Sequence, residues 1–509
     1  MKRAHALPAS AVLVLAVVAV GGGCNFGQSG IAPPTNRIFL PAGLAADPDD
    51  DFLYVVNSNS DLRFNAGTVV AVDLAKAAAV QSQLKAIPPT LCQKTRFSRT
   101  EAVSDDYCCR DLIDSNILNC NEPQFVQSDA TIQLGSFGGA IELQRYQRNP
   151  ADPTSEVVRR LFVAVRAEPS ITFADVTIAG GRVAMRCNGP RGDISTPPTP
   201  GFCDDHWRVR RPGGVTPGAL VLPEEPHVLL LDNTIGALFV GHLTVSANSQ
   251  IQGGGVSTLD VCNPQSENSV RFAGLTRKTF IPEGLSQAVA ALSPRDPGNP
   301  ATRLYATARY STTVSGLVLR TPSDSVCDST LTAPKDRDLA LQPSDSFASS
   351  VFLPRGADIR GILFSDDHTK AYVLHRNDPD IPANPAALAV LDRRPQADGL
   401  PANTPIDILE VCSGPTGMQM HNAGRGNRIY VTCYDDGQLY VVDPEALVVT
   451  AIIDVGAGPT SLVFSPRDPG MAYVGSFVNS HLSVIDLSPG SPTENHVVMR
   501  LGLPHGYGE

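Results

Sequence analysis

Chemistry requires groups that ionise, coordinate or attack, and this 509-residue chain supplies eleven cysteines, ten histidines and 51 acidic against 40 basic residues. The histidines, among them His227, His242, His368, His375, His421, His481, His496 and His505, lack the repeated placement a multi-copper centre needs. There is no Cys-x-x-Cys-His run for covalent haem, and nucleophile-elbow, phosphate-cradling and metalloprotease motifs are absent as well. A net charge of −11 without clustered Lys or Arg argues against nucleic acid as a partner.

The cysteines point to an oxidising compartment. Setting Cys24 aside leaves ten, an even number suited to five disulfides. Cys187 and Cys203 flank a Pro-rich loop and are expected to close it; Arg191-Gly192-Asp193 inside that loop is too short a match to carry a claim. Cys412 with Cys433, and Cys262 with Cys327, are expected pairs. Cys92, Cys108, Cys109 and Cys120 share one long insertion. Adjacent Cys108 and Cys109 cannot readily bridge each other, so each is expected to pair outward, with the connectivity open. Zinc is the sharper alternative for these four, but the paired short spacings it favours are missing.

The elements that must position these groups are short strands. The 43 Gly and 42 Pro suit many strands joined by turns and would break a helical protein. The clearest unit is Ile429-Tyr430-Val431-Thr432-Cys433, a polar turn at Asp435-Asp436-Gly437, then Leu439-Tyr440-Val441-Val442-Asp443, which reads as a hairpin. It returns at Tyr473, closing on Asp486. More degraded copies are headed by Tyr54, Phe162, Phe239, Tyr305 and Tyr372, which makes seven. An inner strand precedes most heads, as in Gly458-Pro459-Thr460 to Ser465, and a fourth strand follows, as in Val448 to Val455. Four antiparallel strands in a shortest period of 43 residues, Tyr430 to Tyr473, predict an all-β fold, a single seven-bladed β-propeller over 37–509. The longest spacing, 108 residues from Tyr54 to Phe162, puts the long loops in the N-terminal half, with insertions at about 77–133 and 185–216. Either Arg37 to Leu40 or Asn495 to Leu501 is expected to complete the last blade. Trp207, the single Trp, could be a buried anchor or an exposed contact.

Two resemblances follow. The heads Tyr430-Val431-Thr432, Tyr54-Val55-Val56-Asn57 and Tyr473-Val474 resemble the Tyr-Val-Thr-Asn signature of YVTN β-propeller repeats, well over 355–509 and 37–76 and weakly between. That likeness implies a fold and says little about chemistry. At the other end, Lys2-Arg3, the apolar stretch Ala9 to Val20, and Gly21-Gly22-Gly23-Cys24 resemble the signal peptide and lipobox of bacterial lipoproteins. This implies a signal over 1–23, an acylated Cys24, a flexible tether over 24–36 and, with Asn25 next, an outer-membrane lipoprotein facing the periplasm or cell surface.

In a propeller, ligands sit where inner strands converge on the central channel. The candidates there are Asp358, Arg360, Gln287, Gln419 and Glu142. The leading expectation is a lipid-anchored binding or scaffold module, monomeric, whose loops meet a protein, peptide or glycan, with no catalytic residue and no cofactor. The alternative is a hydrolase of lactonase type. Ring-shaped lactonases hold a divalent cation with oxygen ligands from several blades, and calcium would suit such ligands. Lipidation is checked separately: labelled fatty acid should enter the wild-type chain and vanish in Cys24→Ala, and label retained in that variant would refute the anchor.

Overall fold

The computed structural model describes residues 30–49, 52–86, 106–147, 154, 157–189, 201–210, 222–233, 235–243, 255–262, 270–277, 285–291, 303–309, 312–319, 337, 339–348, 358–376, 385–397 and 401–502. Cys24, Cys92, Cys327 and Arg191-Gly192-Asp193 lie outside them.

Seven antiparallel sheets follow one another along the chain and form a seven-bladed β-propeller. Blade 1 runs Pro41–Ala46, Phe52–Asn57, Gly67–Asp73 and Ile132–Leu134 from the channel outward. Blade 7 runs Pro459–Phe464, Met471–Ser476, His481–Asp486 and His496–Leu501. A four-stranded sheet has two apolar faces and covers neither alone, so neighbouring blades bury each other. The seven aromatic heads sit in these seams: Tyr54, Phe162, Phe239, Tyr305, Tyr372, Tyr430 and Tyr473 are all buried. Each contributes about 2–3 kcal/mol by leaving water. Polar clamps lock some seams. The Arg393 guanidinium of blade 5 lies over the Tyr305 and Phe364 rings and donates to the Tyr305 hydroxyl at 2.9 Å. Arg337 reaches Asp260 at 2.5 Å and the Gly236 carbonyl at 2.8 Å. Glycine permits the closest backbone approach, since a Cβ on Gly43 of blade 1 would stand 2.3 Å from the Gly139 oxygen of blade 2.

One irregularity repeats in every blade. Each inner strand begins with a β-bulge, where pairing with the second strand slips by a residue. Ladder partners break between Pro41↔Asn57 and Gly43↔Val56, Pro226↔His242 and Val228↔Gly241, and Leu285↔Ala308 and Gln287↔Thr307. The same break falls between Ile359↔His375 and Gly361↔Leu374, Pro415↔Cys433 and Gly417↔Thr432, and Pro459↔Ser476 and Ser461↔Gly475. Blade 2 slips between Gly138↔Val165 and Ile141↔Val163. Proline opens four of these bulges, where its missing N–H removes nothing from the ladder. The second-strand residue opposite the slip pins the incoming linker. Asn57 accepts from Phe39 N–H at 3.0 Å, His242 meets the Glu224 carbonyl at 2.9 Å, and Ser476 donates to the Val455 carbonyl at 2.7 Å. In blade 6 the same contact is covalent, Cys433 to Cys412. Cys412 therefore stands in the linker, just ahead of the inner strand Pro415–His421.

The ring closes without exchanging strands between its ends. His496–Leu501 completes blade 7, and Arg37 to Leu40 forms no strand. The extra strand comes from the first insertion. After helix α1 (Leu74–Ala86), the chain returns as a short hairpin of Cys108–Arg110 and Leu118–Cys120. Leu118–Cys120 pairs in parallel with Met499 to Leu501. A Cys108–Cys120 disulfide staples this hairpin, Arg500 reaches Asp111 at 3.2 Å, and Gly502 N–H donates to the Cys120 carbonyl at 3.0 Å. The segment then re-enters blade 1, so blade 1, the insertion and blade 7 share one apolar cluster. The second insertion is stapled by Cys187–Cys203 and anchored by Trp207, buried, with its indole N–H on the Gly189 carbonyl at 2.9 Å. Cys109 and Cys262 are also disulfide-bonded.

The clasp predicts a local difference in protection. Amides of 496–501 should exchange more slowly than those of 448–454, the outer strand of blade 6, which has no further strand on its outer side among the described residues. Serine at both Cys108 and Cys120 should erase that difference by hydrogen-exchange mass spectrometry; an unchanged pattern would refute the clasp.

Candidate functional site

In each blade the bulge leaves one or two residues at the channel mouth, outside the ladder. These residues are Ala42, His227, Ser286, Arg360, Thr416 and Thr460, with Gly139 and Ala140 in blade 2. Where the residue is Thr it stitches blades together. Thr416 donates to the Pro459 carbonyl at 2.9 Å, and Thr460 to the Pro41 carbonyl at 3.0 Å. In blades 3 and 5 the position carries His227 and Arg360 instead.

A second register position adds charge. The residue four after the aromatic head, at or just past the end of the second strand, is Arg166 in blade 2, Arg309 in blade 4 and Arg376 in blade 5. Arg166, Arg309 and Arg360 all act on His227, while Arg360, Arg309 and Arg376 act on Asp358. The charged side of the mouth therefore spans blades 2 to 5. Burial, followed by the positive charges of Arg309, Arg166 and Arg360, drives the His227 imidazole down to about 3, so it is neutral at physiological pH. Asp358 opens the inner strand of blade 5 and holds the Arg360 guanidinium. Burial outweighs this pairing for both partners, raising the Asp358 carboxyl and lowering Arg360. Arg166 meets Glu225 at 3.3 Å and Arg376 meets Asp435 at 3.5 Å, both at the half-exposed rim.

Further down, the inner-strand residue paired with each aromatic head marks one level of the ring and lies on the same face of its sheet as the head. The set is Ala45, Glu142, Leu230, Val289, Leu363, Gln419 and Val463. At this level of blade 2, desolvation pushes the Glu142 carboxyl up to about 8. No hydrogen bond or ion pair to Glu142 is found among the described residues. Gln419, on the same level, turns to its neighbour and donates to the Leu462 carbonyl at 2.7 Å. Gln287 stands where the inner strand of blade 4 resumes pairing, opposite Thr307.

Of the five candidates, Asp358 and Arg360 thus form one pair at the mouth, while Glu142 and Gln419 share a deeper level. Sequence reasoning missed His227, Arg166, Arg309 and Arg376. A signal was available, because Arg stands four residues after the head in three blades, at Phe162, Tyr305 and Tyr372. Among the described residues, no group of three or more His, Cys, Asp or Glu side chains is placed to hold a metal.

No sequence family and no curated protein match this chain. Among solved structures, hydrazine synthase of Kuenenia stuttgartiensis matches with TM-score 0.47 and 12% identity, covering 90% of this chain and 98% of that one. A Lactobacillus plantarum protein matches with TM-score 0.42 and 15% identity, covering 82% and 85%. The periplasmic gluconolactonase of Pseudomonas aeruginosa matches with TM-score 0.42 and 16% identity, covering 69% and 85%.

The site predicts how stability depends on pH. A carboxyl raised from 4.5 to about 8 stabilises the fold while protonated, so that contribution is whole below pH 4.5 and lost as pH rises toward 8. His242 and His375, both lowered from 6.5 to about 4 chiefly by burial, act oppositely: their contribution is whole above pH 6.5 and lost as pH falls toward 4. Glu142→Gln should therefore melt with the wild type at pH 5 and above it at pH 8.5. An equal offset at both pH values would show that Glu142 is not held neutral in the fold.

Proposed function

We propose that this protein is a binding module of the bacterial envelope, tethered through Cys24, which takes its ligand at the charged mouth of the propeller channel. The observation that supports this reading is what converges there from several blades: arginines, with a neutral imidazole among them, instead of a ring of carboxylates. Arginine offers planar, fixed donors matched to carboxylate and phosphate groups and to peptide carbonyls, so such a mouth recognises without supplying a nucleophile or a hard-cation cage. A YVTN-type repeat ring is consistent with this role, the invariant bulge serving as mount and the variable bulge residue as reader.

Glu142 favours a second reading. A carboxylic acid kept protonated near neutral pH can donate a proton to a leaving oxygen, as a channel hydrolase of lactonase type would require. In that reading calcium would have to be held by ligands beyond Glu142 and Asp358, and Asp358 is already committed to Arg360.

Two measurements separate the readings. Purified protein incubated with glucono-1,5-lactone is expected to show no turnover above buffer, with or without calcium. Stoichiometric bound calcium with turnover lost in Glu142→Gln would replace the binding reading by the hydrolase. Envelope components held by the immobilised wild type are expected to be released from the Arg166→Gln/Arg309→Gln/Arg376→Gln triple variant, and equal retention would move the binding face away from the mouth.

A further inference from the structure

Among the described residues, the mouth carries more positive charge than its carboxylates neutralise. Four arginines, Arg166, Arg309, Arg360 and Arg376, meet three carboxylates, Glu225, Asp358 and Asp435. Among the described residues no carboxylate lies within ion-pair reach of Arg309. The Nε groups of Arg166, Arg309 and Arg360 and the Asp358 Oδ1 are buried with no hydrogen-bond partner. Buried polar atoms are ordinarily paired; such Nε groups also occur at Arg208 and Arg500, but at the mouth they come from three blades whose arginines all act on His227. A missing oxyanion supplies an explanation for these guanidinium donors.

We propose that Arg309, flanked by Arg166 and Arg360 and backed by His227, forms an oxyanion site at the channel mouth that takes a carboxylate or phosphate group of a small ligand. Three features fit that chemistry. The donors come from blades 2, 4 and 5, so they reach the mouth from three separate sheets instead of lining one strand. Their backbone positions are set by ladder register and bulge, which keeps the cradle from collapsing on itself. The two rim pairs are half-exposed, 37% and 39% at Arg166–Glu225 and 30% and 44% at Arg376–Asp435, so an incoming anion displaces little to compete for those guanidinia. His227 sits among the arginines at the bulge of blade 3. As a neutral imidazole it can donate one N–H to the anion without adding to the repulsion among the guanidinia.

This inference rests on the mouth being the binding face and adds the class of ligand. It is tested by calorimetric titration of the wild-type protein with inorganic phosphate, with succinate, and with succinamide as the uncharged counterpart. Phosphate or succinate should bind, succinamide should not, and affinity should fall as salt is raised. Preference for phosphate or for succinate identifies which oxyanion the cradle was built for. Arg309→Gln should weaken the bound anion at least tenfold, on the scale of one lost charge-assisted contact. Arg309→Lys, which keeps the charge and loses the fork, should recover only part of it and guards against a folding defect in the first variant. Two results would overturn the inference: no anion binding better than succinamide, or anion binding unchanged in Arg309→Gln and in Arg360→Gln. A wild type that retains envelope partners through the mouth yet ignores every anion would sink the oxyanion site and leave the broader binding reading standing.

Discussion

The structure depends on a slip of one residue. A strand that lines a channel must keep its ladder bonds on one side and still turn its first residues toward the mouth, and a straight antiparallel ladder cannot do both. A bulge reconciles the two by leaving one residue outside the pairing and bending the strand at that point. All seven inner strands take this solution at the same register, with a pin from the second strand to the incoming linker beside it in at least four blades. The pin is made by an amide, an imidazole, a disulfide and a hydroxyl in turn. Such variety shows that the fold needs the contact and leaves its chemistry free.

That freedom produces both a scaffold and a site. In blades 6 and 7 the unpaired residue is Thr, and it ties each blade to the next through a proline carbonyl. In blades 3 and 5 it is His227 and Arg360, which tie nothing together in that way and present charge or donors to the mouth. One backbone device thus closes the ring on one side and equips the channel on the other. Closure gains further support from outside the blades. Because each blade takes its four strands from one stretch of chain, the first and last blades meet only through side chains and a few hydrogen bonds, and the disulfide-stapled hairpin from blade 1 lies along the edge of blade 7 where the seam would otherwise be weakest.

The ring was legible because it rests on periodicity. Aromatic heads recur with alternating apolar residues, and burial of Tyr54, Phe162, Phe239 and the rest is the physical cause of that recurrence. Disulfides that close a local loop, Cys187–Cys203, or that pin a linker, Cys412–Cys433, could be read from spacing and strand assignment. The clasp could not. Leu118–Cys120 is three residues long and finds its partner some 380 positions away, between Leu118 and Met499, where no local pattern marks it. The site was half legible for a similar reason. Asp358 and Arg360 stand out as charges at the start of a β-rich run, whereas His227, Arg166 and Arg309 acquire meaning only once seven ladders are laid in register.

The charged mouth is also where the fold departs from its own interest. Elsewhere buried arginines meet carboxylates at short range, as in Arg337 with Asp260 and Arg160 with Asp175. At the mouth, desolvation works against both members of the Asp358–Arg360 pair, and three arginine Nε groups are buried unpaired. Replacing such groups with apolar ones of similar size would commonly stabilise a protein or leave it unchanged. A rigid ring of ladders can sustain that local cost because register, and not the charges themselves, holds the guanidinia in place. Charge that is held apart by backbone and lacks its full complement of partners is poised for a ligand that brings the missing oxygens.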